Sequence, residues 1–174
     1  MLIRAAVFPA DTVALRALIG EYIAWLDMDL SYRGFQQEMK AFEEIFTRPS
    51  GMFLAADSGA GLVGCVGLKR YTTATAEVKR MYVRPGFRGQ QLGRKLLERL
   101  IATARGLGYQ RLILDAVPQT LHAQELYRAM GFTEIAAYYE QPVVGTKFFE
   151  RCISEFEIDG AAAATNCCSS LAAT

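Results

Sequence analysis

The chain has 174 residues, 52% of them hydrophobic and 21% charged, with a formal net charge of +1 at pH 7. That length suits a single domain able to bury about 70% of its unfolded surface. The near-neutral charge removes any general pull toward nucleic acid or an anionic membrane, and no run of about 18 apolar residues suggests a span.

Taken in chain order, Leu2 to Phe8 reads as a first strand. Ala10-Asp11-Thr12 offers a helix N-cap, after which Leu15, Leu18, Ile19, Tyr22 and Leu26 recur at helical spacing. The stretch "DMDLSYRG" reads as a loop, and a second helix is expected from Phe35 to Phe46, ending before Pro49. Phe53 to Ala56 and Leu62 to Tyr71 read as strands joined by the hairpin turn "DSGAG". Ala76 to Val83 is a further strand, and a leucine-striped helix follows to about Gly106. Arg111 to Val117 is a buried strand, Leu121 to Met130 a short helix, and Thr133 to Ala137 and Thr146 to Glu157 closing strands. Residues 1–158 therefore form one domain, with 159–174 expected as a disordered tail because "GAAAATNCCSSLAAT" lacks any hydrophobic period. The cysteines Cys65, Cys152, Cys167 and Cys168 lack zinc-site spacing, and His122 is the single histidine, so no metal centre is expected. The N-terminus lacks the layout of a secretory signal, and reduced thiols in a cytoplasmic protein are the expectation.

The informative stretch is "MYVRPGFRGQQLGRKLLERL", Met81 to Leu100, where an apolar strand breaks at Pro85-Gly86 and restarts as a helix. A helix start exposes unpaired N–H groups and partial positive charge, a setting that attracts phosphate. Gly89 leaves room for close approach to the backbone, and Arg88 and Arg94 add charge on either side. No P-loop string occurs, and Gly86, Gly89 and Gly93 do not have Rossmann spacing. The turn reads as a diphosphate cradle of another kind.

This stretch resembles the signature of the GCN5-related N-acetyltransferases, the GNAT superfamily, a pattern [QR]-x-x-G-x-[GA] between a strand and a helix. Arg88 fills its first position and Gly93 its last, while Gln91 stands where that family usually has glycine. "EVKRMYV" before the turn and "ELYRAMGF" downstream, Glu125 to Phe132, resemble the family too. The resemblance implies an α/β (α+β) fold: a mixed, mostly antiparallel twisted sheet of six to seven strands flanked by about four helices.

It also implies transfer of an acetyl group from acetyl-CoA to an amine without a metal. In that reading the backbone of Arg88, Gly89, Gln90, Gln91, Leu92, Gly93 and Arg94 holds the coenzyme pyrophosphate. Met81, Tyr82 and Val83 line its pantetheine arm, and Thr120 takes the place of a coenzyme-contacting asparagine. Tyr127 is the candidate acid for the departing thiol. Glu77, on one strand face with Lys79 and Met81 by alternation, is the candidate base, with Asp27, Asp29 and Asp115 as alternatives. Asp27, Asp29 and Arg33 fall in the loop that lines the family's acceptor pocket, and Ala136 to Gly145 is placed to close its other side. The expected acceptor is a small-molecule amine or amino acid; acetylation of a protein N-terminus or lysine, or a non-catalytic acyl-CoA-binding module, are the alternatives. No nucleic-acid or membrane partner is expected, and pairing into a homodimer is compatible with the family.

Overall fold

The computed structural model describes residues 1–28, 34–140 and 143–154. Asp29, Arg33, Cys167, Cys168 and the expected tail lie outside the described residues. The elements are β1 (Leu2–Ala5), α1 (Thr12–Leu26), α2 (Phe35–Lys40), α3 (Phe42–Ile45), β2 (Met52–Asp57), β3 (Leu62–Arg70), β4 (Thr75–Val83), α4 (Leu92–Gly106), β5 (Arg111–Ala116), α5 (Leu121–Ala129), β6 (Thr133–Ile135) and β7 (Lys147–Cys152). They build one seven-stranded sheet in the order β1-β2-β3-β4-β5-β7-β6. The mixed α/β fold and its mostly antiparallel sheet match the expectation. The expected second helix instead breaks at Ala41 (φ −96°, ψ 22°). Its first half buries Glu38 and its second half Phe42.

Strand alternation divides the core in two. On one face Leu54, Val66 and Leu68 pack with Leu96, Leu97 and Leu100 of α4. On the other, Phe53, Ala55 and Cys65 meet Leu15, Leu18 and Ile19 of α1 and Phe42 of α3. Burying each of these leucines contributes about 2 kcal/mol, so the helices are fixed to the sheet by their apolar stripes. Asp11 occupies the position before α1 but makes no capping bond. Its carboxylate instead receives two bonds from Arg4, at 2.6 and 2.9 Å, and one from the Val7 N–H at 2.7 Å. A forked, charge-assisted pair outcompetes a single cap bond, and it ties α1 back to β1.

Two departures from a regular sheet shape the site. All neighbouring strands are antiparallel except β4 and β5, which pair in parallel only at Thr75–Arg111, Ala76–Leu112 and Glu77–Ile113. Beyond Glu77 they part: β4 continues to Val83 beside β3, and β5 to Ala116 beside β7. The second departure is a bulge. Between the pairs Cys65–Tyr82 and Gly67–Lys79, β4 holds one residue more than β3. Arg80, with φ +54°, is in the left-handed region there. The bulge resets the alternation, so Val78, Met81 and Val83 pack toward α4 while Tyr82 packs toward α1. The expected common face of Glu77, Lys79 and Met81 is therefore corrected: Met81 points to the opposite side of the sheet.

Candidate active site

The gap between β4 and β5 opens into a cleft of about 740 Å³ beneath the N-terminus of α4. Of the sequence-derived residues, Met81, Tyr82, Val83, Arg88, Gly89, Gln91, Leu92, Gly93, Arg94 and Thr120 line it, and Gln90, Glu77 and Tyr127 do not. Helix α4 has no side-chain cap. Its first helical bond runs from the Lys95 N–H to the Gln91 carbonyl at 3.0 Å. The N–H groups of Leu92, Gly93 and Arg94 thus have no acceptor within the helix and present the positive end of its dipole to the cleft. Gly89 (φ +75°) and Gln91 (φ +58°) both turn through the left-handed region to start the helix this way. A Cβ on Gly93 would lie 3.3 Å from Met81 Cε and 3.4 Å from Leu126 Cδ2, so this glycine sets how closely α4 approaches β4 and α5.

The basic side chains are partly committed. Arg88 donates from Nε to the Val83 carbonyl at 2.9 Å and lies over the rings of Trp25 (5.1 Å) and Tyr82 (5.7 Å). Arg94 donates toward Met130 Sδ at 3.2 Å. Thr120 gives its hydroxyl proton to the Val117 carbonyl at 2.7 Å, so at the cleft that hydroxyl can only accept. Sequence reasoning missed the contribution of Tyr22 to this wall. Tyr22 and Trp25 stack at 6.4 Å and both line the cleft, as do Gln119 and the exposed His122. Tyr22 sits within the apolar stripe of α1, so its period marked it as core.

The two candidate catalytic residues, Glu77 and Tyr127, are not part of the cleft lining and lie on opposite faces of the sheet. Tyr127 is buried behind Met81, with its hydroxyl 3.6 Å from Met81 Sδ. Burial, helped by Tyr22 and Asp115, holds its phenol far above the ordinary tyrosine range, so it keeps its proton. Glu77 is buried where β4 last pairs with β5. It accepts a bond from the Tyr138 hydroxyl at 3.1 Å and lies 3.5 Å from Lys79 Nζ. The segment after β6 thus reaches the candidate base through Tyr138. Asp27 caps the end of α1 through its backbone and is exposed. Cys65 is no nucleophile at neutral pH, because burial pushes its thiol up to about 12.

The sequence profile of the acetyltransferase (GNAT) family matches residues 20–132, which spans the split sheet, the α4 turn and α5. The chain belongs to the GNAT acetyltransferase family. An uncharacterised N-acetyltransferase of Schizosaccharomyces pombe is 32% identical over 143 residues, 81% of this chain and 88% of that protein. The L-amino acid N-acyltransferase MnaT of Escherichia coli is 40% identical over 68 residues, 39% of this chain and 38% of its own. Among solved structures, that of yncA from Salmonella typhimurium with its cofactor acetyl-CoA superposes with a TM-score of 0.67. It shares 23% identity and covers 93% of this chain and 99% of its own. The GNAT fold is thus shown here by sequence and by shape.

Proposed function

We propose that this GNAT protein transfers the acetyl group of acetyl-CoA to the amine of a small molecule. The observation that carries the reading is the cleft where β4 and β5 separate, with open helix N–H groups at its mouth and a wall formed by Met81, whose sulfur is 3.6 Å from the buried Tyr127 hydroxyl. The N–H groups of the Gly89–Arg94 turn suit a pyrophosphate, and the unpaired edge of β4 from Val78 to Val83 suits an amide-bearing arm. The acyl-CoA fit is one of chemistry: donors and positive charge at one end, an apolar wall of Met81, Val83 and Leu126 along the rest.

The chain supplies three services to the reaction. Glu77, directly or through a water, takes the proton of the attacking ammonium, which has an ordinary pKa near ~10 and cannot attack while protonated. A backbone N–H near Met81 or Tyr82 stabilises the oxyanion formed as the amine nitrogen bonds to the thioester carbon. Tyr127 faces the sulfur as the carbon–sulfur bond breaks. Because burial holds its proton tightly, the phenol stabilises the leaving thiolate by a hydrogen bond without giving its proton up, and the thiolate, parent pKa about 8.5, becomes thiol by taking up from solvent the equivalent of the proton that the amine nitrogen sheds as the amide forms. One amine and one thioester become one amide and one thiol.

Incubating the protein with acetyl-CoA and pools of small amines, and following free thiol, tests this. Thiol release with small amines supports the proposal. Coenzyme binding without release from any amine class makes the protein an acyl-CoA-binding module, and release only with peptides moves the acceptor to a protein.

A further inference from the structure

We propose that Met81 fixes the length of the acyl group this cleft accepts, because its thioether fills the place that a chain longer than acetyl would need. This inference rests on the acetyl-transfer reading above and assigns the acyl specificity of that same site. It begins with the bulge of β4. In regular alternation Met81 would share a face with Lys79, but the extra residue at Arg80 turns its side chain to the α4 side. A half-buried methionine is thereby set into the cleft wall at the point where β4 has left β5.

Two helices close around that side chain. A Cβ on Gly93, at the start of α4, would lie 3.3 Å from Met81 Cε and 3.4 Å from Leu126 Cδ2 of α5, so the tip of the thioether sits against the seam between them. Met81 Sδ lies 3.6 Å from the Tyr127 hydroxyl. Tyr127 in turn packs on the rings of Phe132 and Phe149, with centroids 5.8 and 6.1 Å away. Met81 thus stands between the cleft, which it lines, and the buried phenol, which does not line it. Past the thioether lie side chains of the core, at the density of a protein interior.

The reaction brings the acyl carbon to this wall. Its oxyanion takes a backbone N–H near Met81 or Tyr82 and its sulfur faces Tyr127, so its alkyl substituent is left to share the inner end with the Met81 side chain. A methyl group needs little of that space. Each further methylene must displace the thioether or push into packed core, and cores resist such insertion. Methionine suits this wall, since an unbranched, polarizable thioether moulds to an irregular gap. Cutting it back turns the wall into a recess open to the cleft and bordered by Gly93, Leu126 and Tyr127.

The test uses the full chain with acetyl-, propionyl-, butyryl- and hexanoyl-CoA and two readouts: calorimetric affinity, which needs no acceptor, and thiol release with pools of small amines. One methylene against an apolar wall discriminates by about 10–200-fold, so in the unmodified protein butyryl-CoA should fall about a hundredfold or more below acetyl-CoA in kcat/KM. In Met81→Ala the ratio of butyryl-CoA to acetyl-CoA affinity should rise about tenfold, as two methylenes enter the recess, and the kcat/KM values should converge. Met81→Leu, close in volume, should keep the parent's order. Butyryl-CoA used as well as acetyl-CoA by the unmodified protein, or a preference that Met81→Ala leaves unchanged, overturns the inference and leaves acetyl transfer standing. An affinity ratio that shifts with Met81→Ala, without thiol release from any amine, supports the inference and overturns transfer. No affinity for any acyl-CoA removes both. Should Met81→Ala fail to fold, Met81→Val, a smaller cut at the same place, decides by the same ratio.

Discussion

Replacing Arg80 by Met leaves Glu38 buried with its Oε1 bond gone, and its Oε2 has no bond to begin with. Removing one partner of a buried ion pair costs about 3–5 kcal/mol, because the remaining charge keeps its desolvation penalty. Lys69, 3.9 Å from Glu38 Oε2 and 36% exposed at its side chain, offers partial compensation and places the expected cost near the lower end, about 3 kcal/mol. For a chain of this length each kcal/mol moves the midpoint by about 2–4 °C, so Arg80→Met should melt roughly 6–12 °C below the parent. Glu38→Met should behave alike by stranding Arg80. The double variant exchanges a sealed pair for two apolar side chains beside Phe35 and should return to within about 1 kcal/mol of the parent or exceed it. Urea and thermal unfolding followed by far-ultraviolet circular dichroism at pH 7 give the cycle. A single-variant cost below about 1 kcal/mol would show that water screens the pair. Additive losses in the double variant would show that packing, not charge, holds the bulge.

Other outcomes follow from the same geometry. Tyr127→Phe should lower kcat by about a hundredfold while leaving the calorimetric affinity for acetyl-CoA unchanged, and an unchanged kcat removes the phenol from the reaction. Gly89→Ala meets no atom within 4 Å yet must hold φ +75°, so its effect is conformational. It should cost about 1 kcal/mol, seen as a midpoint about 2–4 °C lower, with weaker coenzyme binding. Arg4 holds the Asp11 carboxyl below the usual aspartate range. A depressed folded value contributes stability that is complete above the unfolded value near ~4 and is lost as pH falls through the folded value. Asp11→Asn should therefore cost about 1–2 kcal/mol at pH 7 and progressively less by pH 2, and a pH-independent difference refutes that assignment.

The strand–turn–helix at Met81 to Leu100 was legible because its hydrophobic period changes from two to 3.6 across a glycine-rich break, and all of Arg88 to Arg94 except Gln90 reached the cleft wall. Gln91 departs from the family pattern at the position where the backbone is left-handed, which is the physical reason a glycine is usual there. The bulge was harder to read. Its trace is the adjacent pair Lys79-Arg80, which interrupts an apolar set that resumes at Met81 and Val83, but without the β3 register this passes for alternation. Glu38 gave no signal at all: on a short helix a glutamate reads as solvated, and only the approach of α2 to β4 makes it a buried partner. Tyr22 was hidden in the same way, since helical spacing marks a face without saying whether a sheet or a ligand meets it.

The central claim is that the amide hydrogens of the α4 turn receive the diphosphate of acetyl-CoA, with the pantetheine arm between β4 and β5 and its thioester at Tyr127. A crystal structure of the protein soaked with acetyl-CoA tests it directly. The account predicts one coenzyme per chain, with diphosphate oxygens within hydrogen-bond distance of the N–H groups between Gly89 and Arg94. Coenzyme bound elsewhere, or none bound at millimolar concentration, contradicts it.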